Sequence, residues 1–337
     1  MYTFLKIVSS FIICILLFAC SNPLAVDVSK SKYTLNTERI DDLFTHANEA
    51  ETVSEISHIY PKYPDFMEYL LYYCYKTGMP TDSVFSKNWD GLKKNSYFLR
   101  LSKQIKETFP STDAFSQEIE DGFKRLNVHL PQAKLPKSLI YFNSFFSSSI
   151  YCTEKEVAVG LERYLGHKTK VIQELPPDVF YEWVKKAMEK EFLTRDALCG
   201  WIMTHICEPS KDKNNIESFI QWGKILYLTK AAFPEIEDRI ILRYQADKYD
   251  WAIRNERNIW EYLVKENLLF KTSETDQANF LQEGPFTAGL PQKGADRLGQ
   301  FIGYRIICSY MEQYPLTLQE LIKIPYNTVL TEYEIND

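Results

Sequence analysis

In "ALCGWIMTHIC", residues 197 to 207, one histidine, His205, stands between two cysteines, Cys199 and Cys207. Histidine and cysteine side chains hold zinc, so the first question is whether this stretch belongs to a metal centre. A zinc-peptidase helix needs His-Glu-x-x-His, because residues i and i+4 share a helix face and the glutamate activates the metal-bound water. With His205 as the second histidine, the first falls at Trp201 and the base at Ile202, and neither side chain can do that work. The ligand expected on the next helix, near "FIQWGKILYL", falls at Trp222. These positions read as a vacated zinc helix. No metal and no other cofactor is expected, and Trp201, Ile202 and Ile206 are assigned to the core.

The remaining catalytic patterns do not appear either. His46, His58, His129, His167 and His205 include no pair three to five residues apart. There is no G-x-S-x-G elbow and no phosphate-binding G-x-x-x-x-G-K-[ST] loop. Asp247 and Asp250 read as a solvated helix junction. Cys74, Cys152, Cys199, Cys207 and Cys308 are an odd, scattered set, a poor disulfide framework that suits apolar packing. No catalytic residue is assigned, and the chain is read as a non-enzyme.

The first nineteen residues carry an address. Lys6 is followed by an apolar run from Phe11 to Ala19, too short to span a bilayer but suited to a signal peptide. Leu17-Phe18-Ala19-Cys20 matches a bacterial lipobox, which makes the Cys20 thiol the attachment point for diacylglycerol. Several acyl chains, at ~0.8 kcal/mol per buried methylene, give a stable anchor. Ser21 after the cysteine favours the outer membrane. Removal of residues 1–19 takes away one lysine and no acid, leaving a net charge of −7. With no dense basic run, nucleic acid is not an expected partner.

The elements follow from periodicity. Only 12 glycines against 43 tyrosines and phenylalanines in 337 residues tilt the chain toward long helices. Residues 21–36 are polar and read as a tether between the lipid on Cys20 and a domain over 37–325, with a tail from 326 to 337. Ile40, Leu43, Phe44 and Ala47 form a helical stripe from Thr37. "YPDFMEYLLYYCYKTGMP" and the stripe Phe115, Ile119, Phe123, Leu126 are further helices. "SLIYFNSFFSSSIYC" and "EVAVGLERYLG" read as a few strands. Helices are then expected over 177–191, 195–207, 215–229, 236–246, 250–270 and 296–313, and Thr317 to Glu320 is a capping box. Gly299-x-x-x-Gly303 predicts tight helix packing. Arg297 beside it could bind an anion or form a salt link. The order predicts one α+β domain, predominantly helical, with a small central sheet flanked by helices.

The lipobox, "VAVGLERYLG", "NIWEYLVKENLLF" (258–270) and "DRLGQFIGYRIICSYME" (296–312) together resemble the GldB family of gliding-motility lipoproteins. The likeness runs from about residue 36 to 325, with Glu162 where the family pattern suggests aspartate. It implies a lipid-anchored envelope protein associated with gliding motility and protein secretion, its partners the membrane and other envelope proteins. The family is also distantly similar to zinc peptidases, whose helix would fall at Trp201 to His205; that implies a degenerate zinc-peptidase-like architecture. Two other readings stay open: a divergent metal-dependent hydrolase built around His205, and an envelope ligand-binding lipoprotein using Tyr and Trp as stacking platforms.

Overall fold

The computed structural model of the chain describes residues 22–46, 48–209 and 213–333. The signal peptide and Cys20 lie outside the described residues. Among those described, no helix is long and apolar enough to cross a membrane.

The N-terminal segment is not a free tether. The Asn22 side-chain amide donates to the Pro234 carbonyl at 3.0 Å, and the Tyr33 hydroxyl to Pro136 at 2.7 Å. The Leu35 N–H donates to Glu120, and Leu24 and Leu35 are buried. The segment then forms strand β1 (Asn36–Arg39), so no helix starts at Thr37. Ile40, Leu43 and Phe44 are buried as expected, but through a bend and a single 3-10 turn, Leu43–Thr45. Backbone pairing with a neighbouring strand decides the conformation here, and a side-chain period cannot reveal it.

Five helices follow: α1 (Glu49–Ile59), α2 (Pro64–Glu68), α3 (Phe85–Lys93), α4 (Ser96–Thr108) and α5 (Asp113–His129). Asn48 and Asn95 cap α1 and α4 through their side-chain oxygens, each accepting N–H groups that the first turn leaves unpaired. A π-helical turn, Tyr69–Cys74, extends α2. Next come β2 (Ser138–Phe142), β3 (Ile150–Cys152) and β4 (Glu156–Gly160). The sheet order is β1-β2-β4-β3, with β1, β2 and β4 parallel and β3 antiparallel to β4 at the edge.

This sheet divides two cores. Leu139, Tyr141, Val157 and Val159 point into the larger one, while Ile140, Phe142 and Ala158 point into the smaller, built on α1 to α4. The alternation is the pleat of an extended chain, and both central strands are buried on both faces.

The rest of the larger core is helical: α6 (Lys170–Gln173), α7 (Glu182–Lys186), α8 (Leu193–His205), α9 (Asn215–Ala232), α10 (Asp238–Ile241), α11 (Ala246–Arg254), α12 (Glu256–Lys265), α13 (Glu274–Leu281), α14 (Leu298–Gln313), α15 (Leu318–Lys323) and α16 (Tyr326–Thr331). The expected helices over 177–191 and 236–246 shrink to single turns or little more. The one over 250–270 breaks at Asn255, whose side-chain amide donates to the Trp251 carbonyl and competes with the helix ladder. Thr317 and Glu320 do form a capping box. Nor are residues 326–333 a loose tail: Val329 is buried, and the Tyr333 hydroxyl donates to Glu256 at 3.1 Å. The architecture is α+β and predominantly helical, with a small mixed sheet.

α9 and α14 meet backbone to backbone. A Cβ on Gly303 would lie 1.7 Å from the Phe219 carbonyl oxygen, and one on Gly223 would lie 2.1 Å from that of Gly303. Gly299 faces the Phe219 ring. Gly303→Ala therefore has no flexible neighbour to displace and should destabilise the fold by roughly 3 kcal/mol or more in urea unfolding. Gly91→Ala, on an exposed face of α3 with nothing within 4 Å of the new carbon, should instead stabilise by about 0.5–1 kcal/mol.

Candidate functional site

The edge strand β3 lies against α8, and the contact is close because of one glycine. A Cβ on Gly200 would meet Ile150 Cγ2 at 2.7 Å. Beside this contact opens a cavity of about 480 Å³, within the size range of small-molecule sites. Ile150 and Cys152 of β3, Cys199 and Met203 of α8, and Trp222 of α9 form its apolar side. Arg163, Arg195, Arg243 and Arg297, with Asp196 and Glu283, form its polar side.

The core assignment on α8 holds for Trp201 and Ile202, while Ile206 is half-buried. Trp201 and Ile202 are fully buried in the larger core, and the Trp201 indole N–H donates to the Lys134 carbonyl at 2.8 Å. His205 stacks on Trp201 with ring centroids 3.8 Å apart and contacts the Thr204 hydroxyl. Burial and nearby Lys134 lower its pKa. Neither Trp201 nor His205 lines the cavity; Trp222 does. The α8 residues facing the cavity are Arg195, Asp196, Cys199, Gly200, Met203 and Thr204. Burial raises the Cys199 thiol and pushes Cys152 up to about 12, so both are neutral thiols near pH 7. Among the described residues no three His, Cys, Asp or Glu side chains gather as a metal set, and the five cysteines are free.

The polar side is organised by Asp196. Its carboxylate accepts from Arg195 at 3.0 Å, from Arg243 Nε at 2.8 Å and from the Tyr164 hydroxyl at 3.0 Å. Burial would raise this carboxyl, but Arg243 and Arg195 outweigh that cost and hold it below its ordinary value of 3.8. Arg243 also pairs with Glu283 at 2.8 Å, and Arg297 with Asp296 at 2.9 Å. The salt link expected of Arg297 is thus present. Arg243 (φ 57°) and Arg297 (φ 47°) both adopt left-handed backbone, at a cost on the order of 1–3 kcal/mol each.

Arg163 reaches the cavity by a different route. Glu162, fully buried, accepts from the Ser144 N–H at 3.1 Å, the Phe146 N–H at 2.9 Å and the Ser144 hydroxyl. These bonds fix the β2–β3 loop, where Phe145 and Phe146 are also left-handed. The Phe146 carbonyl then accepts from Arg163, whose guanidinium lies over the Phe146 and Phe180 rings at 5.6 and 5.7 Å.

The model of the family described as gliding motility protein GldB matches residues 21–334, nearly the whole chain. The chain belongs to the GldB family. No curated protein and no solved structure matches it. In this GldB-family chain the segment Gly160-Leu161-Glu162-Arg163 of "VAVGLERYLG" locks the β2–β3 loop and delivers an arginine to the cavity. Family membership points to a gliding-motility-related lipoprotein in a membrane-anchored setting of the envelope.

Sequence reasoning singled out Arg297 but not Arg163, Arg195, Asp196, Arg243 or Glu283. One signal was available, since Arg195-Asp196 interrupts the apolar run Phe192-Leu193 and Ala197-Leu198, and a charge pair there must be buried and partnered. Asp196→Asn leaves Arg195 and Arg243 short of a buried counter-charge, and should cost roughly 3–5 kcal/mol at neutral pH. Because the folded pKa is depressed, this contribution is complete above the unfolded value near 3.8. It disappears as pH falls through the lower folded value, so the urea curves of wild type and variant should converge in acid.

Proposed function

We propose that the chain is a lipid-anchored protein of the cell envelope, attached through Cys20 to the outer membrane and facing the periplasm. Its role is that of a non-enzymatic accessory or scaffold for gliding-motility and protein-secretion machinery. Membership of the GldB family over residues 21–334 carries this reading. The lipobox Leu17-Phe18-Ala19-Cys20 immediately before the matched segment supports the anchor.

The anchor and the body are close. Only Ser21 separates Cys20 from Asn22, and the Asn22 side chain is hydrogen-bonded to Pro234. Two residues reach at most ~7 Å, so an acylated Cys20 holds the body against the bilayer, and the neighbourhood of Pro234 faces the lipid. Other envelope proteins then meet the remaining surface.

Cys20→Ala tests the reading in the native host. The variant should lose acyl labelling, leave the membrane fraction and reproduce the motility and secretion defects of a gene deletion. Wild-type gliding and secretion by cells that make only the unacylated, soluble protein would contradict it.

A further inference from the structure

The cavity between β3 and α8 has an imbalance that the fold does not need. Its wall holds four arginines and two carboxylates beside apolar side chains, and Asp296 answers Arg297 from outside that wall, which leaves one arginine without a paired carboxylate. Three of the arginines are occupied: Arg195 by Asp196 and the Ile241 carbonyl, Arg243 by Asp196, Glu283 and the Ala187 carbonyl, Arg297 by Asp296 and the Arg243 carbonyl. Arg163 is not. It donates to the Phe146 carbonyl, while its Nε–H is buried with no hydrogen-bond partner among the described residues. A buried donor without a partner is unfavourable and uncommon in a folded protein. Here it belongs to a side chain whose guanidinium lies beside the paired rings of Phe146 and Phe180.

We infer that this cavity is a receptor for a carboxylate carried on an apolar body, with Arg163 meeting the charge. A guanidinium edge matches a carboxylate in two parallel hydrogen bonds. The Nε–H is covered in the present arrangement, so the guanidinium rotates toward an incoming anion. A single unsatisfied arginine among apolar walls suits a monoanion. A phosphate dianion would lose more hydration than one fork returns. Ile150, Val184, Met188, Met203, Trp222 and Leu281 receive the apolar body, and the two methionines let the wall adapt to its shape. A free aliphatic acid and the C-terminal residue of a polypeptide both present this chemistry. Carboxylate binding stands apart from the anchoring and accessory role, since either can hold without the other.

The test is calorimetric titration of residues 21–337, which contain both cores, with two matched pairs of probes. One pair is decanoate and decanol; the other is acetyl-Phe-Leu-Leu with a free carboxylate and the same peptide amidated. At least one acid should bind saturably at one per chain, and its neutral partner at least tenfold more weakly. Binding of decanoate alone identifies the source as a free acid, and binding of the peptide acid alone identifies it as a chain end. Arg163→Gln should weaken the acid at least tenfold and leave the neutral partner unchanged. Met203→Trp, which fills the cavity from a half-buried position, should abolish binding of the acid, and it decides the matter if Arg163→Gln does not fold. No saturable binding of either acid overturns the inference. So does equal binding of acid and neutral partner, undiminished acid binding in folded Arg163→Gln, or acid binding that persists in folded Met203→Trp.

Discussion

Asp196 ties together three segments far apart in the chain. Tyr164 reaches it from the turn after β4, Arg195 from its own helix α8, and Arg243 from the turn after α10. A carboxylate buried to this depth is tolerated only because each neighbour donates to it, and each arginine is tolerated only because the carboxylate is there. Remove that charge and the sheet end, α8 and the α10–α11 turn lose their common fastening. The cavity opens beside this fastening, with β3, α9 and α14 completing its wall, so the placement of Asp196, Arg195 and Arg243 on its polar side depends on the same interaction.

Around this fastening the fold works by close approach. Gly200 lets β3 settle onto α8, and Gly223 and Gly303 let α9 and α14 touch through their backbones. Rigid contacts of this kind place Trp222 and Arg297 on the cavity wall, each from a different element. Glu162 does the corresponding work from the other side of the sheet, holding two left-handed phenylalanines so that Arg163 stands in place. The result is a cavity with arginines and carboxylates on one side and apolar side chains on the other.

Much of this was legible in the sequence, and the failures have physical causes. The strands around residues 138–142 and 156–160, the capping box at Thr317 and the Gly299/Gly303 packing were readable because each depends on local composition and spacing. The core places of Trp201 and Ile202 on α8 were readable too, but the face of α8 that lines the cavity was not. A spacing of four fixes which residues align, but the rotation of the helix is set by what packs on it, here Ile150 on Gly200. Hence Trp201 and His205 lie off the cavity wall. β1 was missed because its register is held by backbone pairing with β2, and the polar stretch before it because its anchors are backbone and side-chain hydrogen bonds. The arginine cluster was hidden for a similar reason, as its members come from four separate stretches and only tertiary structure adds them up.

Among the described residues α8 brings no set of three metal-binding side chains together, and the proposed non-enzymatic role requires that the protein hold no zinc. The decisive measurement is the zinc content of residues 21–337 by native mass spectrometry after exposure to zinc and dialysis at neutral pH. The metal should be lost on dialysis. One zinc retained per chain, and released by Cys199→Ser or His205→Ala in a folded variant, would contradict this and return the protein to the hydrolases.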